Sequence, residues 1–337
     1  MARIEARRTA WRISKSGKQF FEKRIVIEIV ARSVPMREAI RLADRVAATD
    51  ANVLITGESG AGKDALAFYI HSKSARAGQS FVKIDCATLP SGLLEAELFG
   101  YERGAFTGAN EAKPGRLEAA HRGTLVLDEI AYLSTDSQAK LLRVIETKEF
   151  ERLGGRKKVT VDARLIALTN VDLSEAVNRH SFREDLYYRL NVMHIAVPPL
   201  RERSEDLPEL ARSFIKTYAA KHGREVGVIS KEALEVFAEY EFPGNVRELA
   251  NTIERAVIVS GGKQLVVADL PESIRAAVLV ERRRTQPQTL AEVEADYVQQ
   301  ILEATKGNKT EAARILGISR KNLYEKLARR EVAKNEG

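Results

Sequence analysis

The sequence has little of what would place it in several large classes of protein. Cys86 is the single cysteine among 337 residues, so no disulfide can form within the chain, and a reducing compartment is the simplest setting. No apolar run approaches the roughly eighteen residues of a membrane-spanning helix, and the five histidines lack metal-ligand spacing. We therefore expect neither a disulfide scaffold, nor a membrane protein, nor a histidine-based metal site, and we expect Cys86 to be a buried structural thiol.

The composition that remains is that of a globular protein with more than one domain. Hydrophobic residues make up 44% and charged residues 30% of the chain, and 337 residues are enough for two or three domains. The net charge of +7 is mild but fits a polyanionic partner. Residues 1–24 form a basic extension to which the sequence assigns no fold.

Short apolar runs alternate with helical patterns through the first two thirds of the chain. The runs are RIVIEIV (24–30), NVLIT (52–56), FVKID (81–85), TLVLD (124–128) and ARLIALTN (163–170). Strands that alternate with helices indicate an α/β fold with a parallel sheet, which we assign to residues 25–200. Residues 201–275 read as helical, 276–289 as a polar linker, and 290–337 as a last helical unit.

A glycine-rich turn follows the NVLIT run and leads into a helical pattern. The turn, GESGAGKD, comprises Gly57, Glu58, Ser59, Gly60, Ala61, Gly62, Lys63 and Asp64. This is the spacing of a phosphate-binding loop, in which backbone N–H groups surround the phosphates and Lys63 reaches the β and γ oxygens. The usual pattern ends in Ser or Thr, which contacts Mg²⁺, whereas this chain has Asp64 as a possible metal contact.

Acidic and polar residues end two further predicted strands. TLVLD is followed by Glu129, so that Asp128 is suited to hold Mg²⁺ through water and Glu129 to polarise the attacking water. Thr169 and Asn170 end another strand at what should be the same edge of the sheet, where Asn170 either senses the γ-phosphate or merely makes a capping turn. Together with the phosphate loop, these residues predict an ATP-hydrolysing enzyme that uses Mg²⁺.

The segment GYERGAFTGANE (100–111) is a poor helix and a poor strand, because its glycines cost backbone entropy and Phe106 is its only large aliphatic or aromatic group past Tyr101. With the phosphate loop and GTLVLDEI, this segment makes the chain, from about Val34 to Ala333, resemble the bacterial enhancer-binding proteins. These are AAA+ ATPases that activate sigma-54 RNA polymerase. In that family GAFTGA tips a loop that presses on the sigma factor. The matching residues here are Gly104, Ala105, Phe106, Thr107, Gly108 and Ala109.

The resemblance implies further roles, each with a simpler alternative. SFREDLYYRLNV resembles the arginine-finger segment, so Arg183 and Arg189 would reach the ATP of a neighbouring subunit; otherwise they pair locally with Glu184 and Asp185. EFPGNVREL resembles the second sensor of the helical lid, with Arg247 directed at the phosphates rather than at solvent. An acidic last residue is common in the family's phosphate loop, which makes Asp64 less unusual.

One residue departs from the family pattern. The strand after the phosphate-loop helix usually ends in Asn-Cys, and that Asn is thought to restrain the catalytic glutamate by donating a hydrogen bond; here the pair is Asp85-Cys86. An ionised Asp can only accept hydrogen bonds, and beside Glu129 it would repel the carboxylate or share a proton with it. We expect hydrolysis to be retained and its coupling to loop movement to be altered.

The end of the chain, GNKTEAARILGISRKNLYEKLARR (307–330), reads as two short helices joined at Gly317, with Asn308 as a good N-cap. It resembles the Fis-type helix-turn-helix that ends enhancer-binding proteins, with the helix near 290–305 carrying a dimer contact. Cations suit phosphates, and Asn or Arg can read base edges. The candidate DNA-binding residues are Ser319, Arg320, Lys321, Asn322, Tyr324 and Lys326. A charged helical hairpin that binds nothing is the alternative.

The sequence thus predicts a bacterial cytoplasmic transcription activator with no membrane association. It would bind upstream double-stranded DNA, assemble from dimers into a ring, most simply a hexamer, and hydrolyse ATP to remodel the sigma-54 RNA polymerase closed complex. Two alternatives stay open: a DNA-binding repressor that keeps the AAA+ fold, and an AAA+ remodeller of another complex. The intact GAFTGA argues against the repressor, and Asp85 argues mildly for it.

Overall fold

A computed structural model describes residues 29–285, 290–305 and 307–335. The basic extension of residues 1–24 and most of RIVIEIV lie outside these ranges. The chain forms two compact units, one that ends at Ile274 and one that begins at Arg275.

The first unit is built on a five-stranded parallel sheet. Its strands are β1 (Val53–Thr56), β2 (Phe81–Asp85), β5 (Thr124–Asp128), β8 (Arg164–Thr169) and β9 (Met193–Ala196). The other strands form three small two-stranded ribbons: β3 (Gly100–Tyr101) with β4 (Lys113–Pro114), β6 (Glu149–Glu151) with β7 (Lys158–Thr160), and β10 (Val228–Ile229) with β11 (Gln264–Leu265). The sheet order is β2-β5-β8-β1-β9. Parallel pairing in register brings the carboxyl ends of β1, β5 and β8 to one edge.

Helices cover both faces of this sheet, which explains why its central strands are continuous apolar runs. The helices are α1 (Val34–Ala47), α2 (Lys63–Lys73), α3 (Ser91–Phe99), α4 (Arg116–Ala119), α5 (Thr135–Thr147), α6 (Leu173–Asn178) and α7 (Glu184–Leu190). All six residues of β8 are buried. One core cluster contains Leu125 and Leu127, and the other contains Val126 and Ile166, so successive residues of β5 face opposite layers.

A helical subdomain follows the sheet within the same unit. It comprises α8 (Leu207–His222), α9 (Lys231–Glu239), α10 (Asn245–Val259) and the start of α11 (Glu272–Thr285). Ser230 caps α9 by accepting a hydrogen bond from the amide of Ala233 at 3.1 Å. Phe237 and Phe242 are fully buried and meet edge to face with ring centroids 5.6 Å apart.

The second unit contains α12 (Leu290–Ala304), α13 (Lys309–Ile315) and α14 (Arg320–Asn335). Asn308 caps α13, its side chain accepting from the amides of Thr310 and Glu311 at 3.1 and 3.2 Å. Gly317, with φ of 67°, makes the left-handed turn between α13 and α14, as the sequence predicts. The small core consists of Val298, Ala312, Ala313 and Leu323.

These elements confirm the predicted fold class, a parallel α/β sheet with a helical lid and a C-terminal helix-turn-helix. The fifth strand, β9, was not anticipated, because MHIA has only one fully buried residue, Ile195. The polar linker expected over 276–289 is helical as far as Thr285. Its Glu, Arg, Ala and Leu residues are strong helix formers, and polarity alone did not reveal this.

No helix among the described ranges is both long and apolar enough to cross a membrane. Cys86 is free and buried, and burial, with the charges of Asp85 and Asp128, raises the pKa of its thiol to about 12. A thiol with such a pKa stays protonated at neutral pH, which agrees with a structural role.

A buried histidine makes the stability of the first unit depend on pH. His71 on α2 is 3% exposed, and its Nδ1 lies 2.9 Å from Thr124 Oγ1. Burial, with a smaller contribution from the charge of Arg164, lowers the pKa of His71 to about 4. The unfolded chain has its histidines near pKa 6.5 and therefore binds this proton more readily than the folded chain does.

We predict that the stability conferred by neutral His71 is complete above about pH 6.5 and is lost as the pH falls through about 4, a change of at most about 3 kcal/mol. His71→Gln should remove this part of the pH dependence, measured as the free energy of urea unfolding from pH 7 to 4. The exposed His121→Gln variant should keep the wild-type dependence. Equal pH profiles for wild type and His71→Gln would contradict the prediction.

Candidate nucleotide-binding site

The turn between β1 and α2 has the backbone of a phosphate-binding loop. Gly57, Gly60 and Gly62 have φ of 151°, 75° and 107°, values that favour glycine. A Cβ added at Gly57 would lie 2.7 Å from the carbonyl oxygen of Val197. The amide of Gly57 donates to the carbonyl of Thr169 at 3.3 Å, which ties the loop to the end of β8.

Lys63 opens α2 and lies inside this loop. It is 6% exposed, and its Nζ donates to the carbonyls of Gly57 and Glu58 at 2.7 and 3.2 Å. The same Nζ is 3.7 Å from Glu129 Oε1. Burial lowers the pKa of Lys63, and the neighbouring carboxylates, Glu129 first among them, oppose that effect. A cation is thus held within the loop, next to the acidic end of β5.

Glu129 follows β5 in a left-handed conformation, with φ of 52°. Its Oε2 accepts a hydrogen bond from the backbone amide of Asn170 at 3.1 Å. Asp85 does not contact it in this way, since Asp85 Oδ1 accepts from the amide of Ala87 at 2.9 Å. Glu129 is therefore restrained by the backbone at the end of β8, while Asp85 lies on the adjacent strand in register with Asp128.

A lysine that the sequence analysis overlooked joins two of the carboxylates. Lys83 Nζ lies 2.5 Å from Asp64 Oδ1 and 2.7 Å from Asp128 Oδ2. Burial alone would lower the pKa of Lys83, but hydrogen bonds to Asp128 and Asp64 outweigh it and raise that pKa. The sequence signal for this role was a lysine between the apolar residues Val82 and Ile84 of the strand FVKID.

The helical subdomain contacts the loop through the turn before α10. Asn245 is fully buried with φ of 54°. Its Nδ2 donates to Glu58 Oε2 at 2.9 Å and to the carbonyl of Ser59 at 3.1 Å, and its Oδ1 accepts from the amide of Leu200 at 2.7 Å. A Cβ at Gly60 would collide with the carbonyl of Gly244. The loop and the lid therefore touch at backbone distance.

Arginines reinforce this contact. Arg247 Nη1 donates to Ser59 Oγ at 2.9 Å, so the structure directs it at the phosphate loop. Arg201 forms a two-pronged pair with Glu58 at 2.6 and 3.0 Å, and the hydrogen bonds from Arg201 and Asn245 lower the pKa of Glu58 to about 2. Arg203, which is buried, donates to the carbonyl of Ala61.

A cavity of about 430 Å³ lies where the loop meets α10. It is lined by Ser59, Pro243, Gly244, Arg247, Glu248, Asn251 and Thr252. The contacts around this loop bring several of the predicted site residues together. These are the loop residues 57–64, Asp128, Glu129, Asn170 and Arg247.

The two candidate finger arginines, Arg183 and Arg189, form ion pairs with acidic side chains that are not among these site residues. Arg183 contacts Asp185 at 2.7 and 3.0 Å, and Arg189 lies 3.2 Å from Glu146. Both side chains are exposed, and exposed pairs of this kind are weak. The local pairing considered from the sequence is therefore present for Arg183, whereas Arg189 pairs with Glu146 on α5 instead.

The GAFTGA segment forms a loop on the β3–β4 ribbon. Its ends meet where the amide of Gly104 donates to the carbonyl of Ala109 at 2.8 Å, and both Gly104 and Gly108 have left-handed backbones. Phe106 is 42% exposed, with its ring edge-on to Tyr101 at 5.0 Å. A Cβ at Gly154, in the turn between β6 and β7, would lie 2.8 Å from Ala105. The loop tip is thus apolar, exposed and in contact with a second turn.

In the second unit, the candidate DNA-binding residues cluster at the start of α14. Ser319 Oγ accepts from the amide of Asn322 at 3.2 Å, as expected of a cap. The exposed candidates are Ser319, Arg320, Lys321, Asn322 and Tyr324. Lys326 is partly engaged, because its Nζ lies 2.7 Å from Glu294.

Comparisons with known proteins cover nearly the whole chain. Residues 29–196 match the sigma-54 interaction domain, 201–287 the AAA+ ATPase lid domain, and 289–329 the bacterial regulatory protein, Fis family. FlbD of Caulobacter vibrioides is 45% identical over 315 residues, spanning 89% of this chain and 69% of that protein. The chain belongs to the sigma-54-dependent transcriptional regulators.

A second relative and a solved structure are similar over the same share of this chain. AtoC of Escherichia coli is 43% identical over 307 residues, which cover 89% of this chain and 67% of AtoC. The crystal structure of NtrX from Brucella abortus in complex with ATP has a TM-score of 0.68 and 37% identity, covering 89% of this chain and 68% of NtrX. This sigma-54-dependent regulator accordingly combines an ATP-binding AAA+ fold, a lid and a helix-turn-helix.

We predict that the buried side chain of Asn245 fixes the lid of this regulator to the phosphate loop. Asn245→Gly keeps the left-handed backbone available and removes three hydrogen bonds, so the free energy of unfolding should fall by about 2 kcal/mol. Urea unfolding followed by circular dichroism measures this loss. The control is Asn178→Ala, at an exposed position at the end of α6, where the substitution keeps helix propensity. Its free energy of unfolding should stay within about 0.5 kcal/mol of the wild-type value. Wild-type stability of Asn245→Gly would contradict the prediction.

Proposed function

We propose that this regulator hydrolyses ATP as a ring of subunits and uses the GAFTGA loop to remodel the sigma-54 RNA polymerase closed complex. Its helix-turn-helix would hold it on upstream DNA. The observation that carries the proposal is the half-exposed Phe106 on a glycine-hinged loop, in the same compact unit as a phosphate loop with its acidic partners. An exposed aromatic at a loop tip fits a surface that engages another protein.

The phosphate loop supports ATP as the nucleotide. Backbone N–H groups of residues 57–62 and the start of α2 supply positive potential, and Lys63 would exchange its own loop carbonyls for β and γ oxygens. Arg247, already bonded to Ser59, would sense the phosphates and move the lid with them. The Glu58 contacts to Arg201 and Asn245 give the lid a second connection to the same loop.

The acidic residues fit a magnesium ion. Asp64 and Asp128 already share one cation, the ammonium of Lys83, and carboxylate oxygens are the ligand type that Mg²⁺ prefers. The described residues hold no group of three or more His, Cys, Asp or Glu that could enclose a metal, which suits an ion held by one or two carboxylates and phosphates. When bound, Mg²⁺ would neutralise phosphate charge.

Glu129 is suited to accept the proton of the attacking water. Water attacks the γ-phosphorus, the bond to the ADP oxygen breaks, and the proton passes to the Glu129 carboxylate. The restraint from the Asn170 amide sets the direction of that carboxylate before attack. Asn170, exposed at the end of β8, can bond to the γ-phosphate or the water through its side chain.

Arg183 and Arg189 would act on the ATP of the neighbouring subunit. A guanidinium stabilises charge on the transferring phosphoryl group, which is worth roughly 10³ or more in rate. Their pairs with Asp185 and Glu146 are exposed and weak, so a neighbouring phosphate can replace them. This role requires an oligomer, and a hexameric ring is the arrangement we propose.

The helix-turn-helix would bind double-stranded DNA through the start of α14. Arg320 and Lys321 suit phosphates, and Asn322 with its neighbours can reach base edges. Ser319 and Tyr324 flank them, and Lys326 would have to leave Glu294 to take part.

A native-gel shift of labelled sigma-54 tests the proposal. The protein is mixed with ADP and aluminium fluoride, beside Thr107→Ala and Arg183→Ala. We expect the wild type to shift sigma-54, Thr107→Ala to lose the shift because the loop contact is gone, and Arg183→Ala to lose it because the neighbouring subunit no longer stabilises the nucleotide.

No shift by a wild-type preparation that still hydrolyses ATP would overturn the activator function. The repressor or the remodeller of another complex would then take its place. A shift that survives Thr107→Ala would remove the loop from the contact while leaving the sigma factor as a partner.

Asp85 provides a separate test of how hydrolysis is coupled to the partner. Asp85→Asn keeps an oxygen for the amide of Ala87 and adds N–H donors that can reach toward the carboxylate of Glu129. We expect basal ATP turnover to fall by up to about tenfold and to recover more strongly on adding sigma-54. The same turnover and the same response to sigma-54 in both proteins would show that Asp85 does not set this coupling.

A further inference from the structure

We propose that Lys83 is a positioning residue of the metal site, which holds Asp64 and Asp128 in place before nucleotide arrives and competes with divalent metal for them. This inference rests on the proposed use of Mg²⁺ with ATP. It adds a role for a residue outside the phosphate loop and outside the acidic strand end.

The geometry is that of one cation shared by two acids from different elements. Asp64 lies in the first turn of α2, Asp128 ends β5, and Lys83 reaches both from β2 with Nζ–O distances of 2.5 and 2.7 Å. Lys83 pairs in register with Val126, two residues before Asp128, so the strand pairing fixes where its side chain begins. Its side chain is 35% exposed, that of Asp128 is 15% exposed and that of Asp64 is 49% exposed, so the contact with Asp128 is the less screened of the two.

The other lysine of the site is engaged elsewhere. Lys63 Nζ is bonded to the carbonyls of Gly57 and Glu58 and lies 3.7 Å from Glu129. The two ammonium groups therefore divide the carboxylates between them: Lys63 faces Glu129, and Lys83 faces the acids suited to metal. Removing Lys83 would leave Asp64 and Asp128 without the cation that joins them.

The negative charge of Asp64 beside Asp128 accounts for the ammonium group of Lys83 at this position. The common phosphate-loop pattern has a neutral hydroxyl at this position, and a carboxylate adds a second negative charge beside Asp128. Two carboxylates without a cation would repel each other and attract free divalent metal. With Lys83 between them the pair carries a net charge of about −1 instead of −2. The site should then bind free metal weakly and accept it chiefly together with ATP, whose phosphates supply further oxygen ligands.

The test measures binding of Mn²⁺ alone to the nucleotide-free, full-length protein, followed by the electron paramagnetic resonance signal of free Mn²⁺. We expect Lys83→Met to bind Mn²⁺ about tenfold more tightly than the wild type, because the competing charge is gone. Lys83→Arg keeps the charge and should keep the weak wild-type affinity.

Two controls make the result specific. Lys140→Met removes a lysine that pairs with Glu95 at 2.5 Å, away from these acids, and should leave Mn²⁺ binding unchanged. Adding Asp64→Ser to Lys83→Met should return the affinity toward the wild-type value, since one carboxylate is removed. Circular dichroism establishes folding, and Lys83→Gln replaces Lys83→Met if the latter does not fold.

The outcomes separate this inference from the proposed function. Wild-type Mn²⁺ affinity in a folded Lys83→Met or Lys83→Gln variant would overturn the role of Lys83, whether or not the protein hydrolyses ATP. Fluorescent ATP that binds the wild type only with Mg²⁺ would leave the ATPase proposal standing in that case. A wild type that binds no ATP under any metal condition would overturn the ATPase proposal, and the role of Lys83 with it.

Discussion

The first unit depends on the contact between the phosphate loop and the turn that opens α10. Gly60 has no space for a side chain, because a Cβ there would lie 2.4 Å from the carbonyl oxygen of Gly244, and Asn245 donates hydrogen bonds to Glu58 and Ser59 of the same loop. Because Asn245 also accepts from the amide of Leu200, the sheet subdomain, the loop and the lid meet at one buried amide. A change in the loop cannot leave the lid unaffected while these bonds hold.

A second constraint is the balance of charge at the carboxyl ends of the strands. Several carboxylates gather there, and each is matched by a cation or an amide: Glu129 by Lys63 and the Asn170 amide, and Asp128 by Lys83. Burial makes this matching necessary, since an unmatched carboxylate with little water around it is unfavourable. Glu129 and Asp128 are therefore each paired within the chain, while Asp64 and Asp128 together with Lys83 keep a net charge of about −1.

Much of this arrangement could be predicted from the sequence, because it is local in the chain. The phosphate loop, the acidic end of β5 and the caps at Asn308 and Ser319 are short patterns whose physics is contained in a few neighbouring residues. The contacts of Asn245, Arg201 and Lys83 join residues far apart in sequence, and no local pattern specifies their partners. The part of α11 from residue 276 to 285 was taken for a linker, because strong helix formers such as Glu and Arg are also the polar residues expected in a solvated linker.

The contact of Gly154 with Ala105 provides a route by which a force on the GAFTGA loop can reach strand β8. The β6–β7 ribbon that carries Gly154 leads within a few residues into β8, which is buried along its whole length and about 20 Å long. The far end of β8 is followed by Asn170, whose amide holds Glu129. Strand β8 thus lies in the chain between the β6–β7 ribbon, which contacts the GAFTGA loop, and the residue whose amide restrains Glu129. A load on the loop tip would be borne by the same strand that sets the direction of this carboxylate.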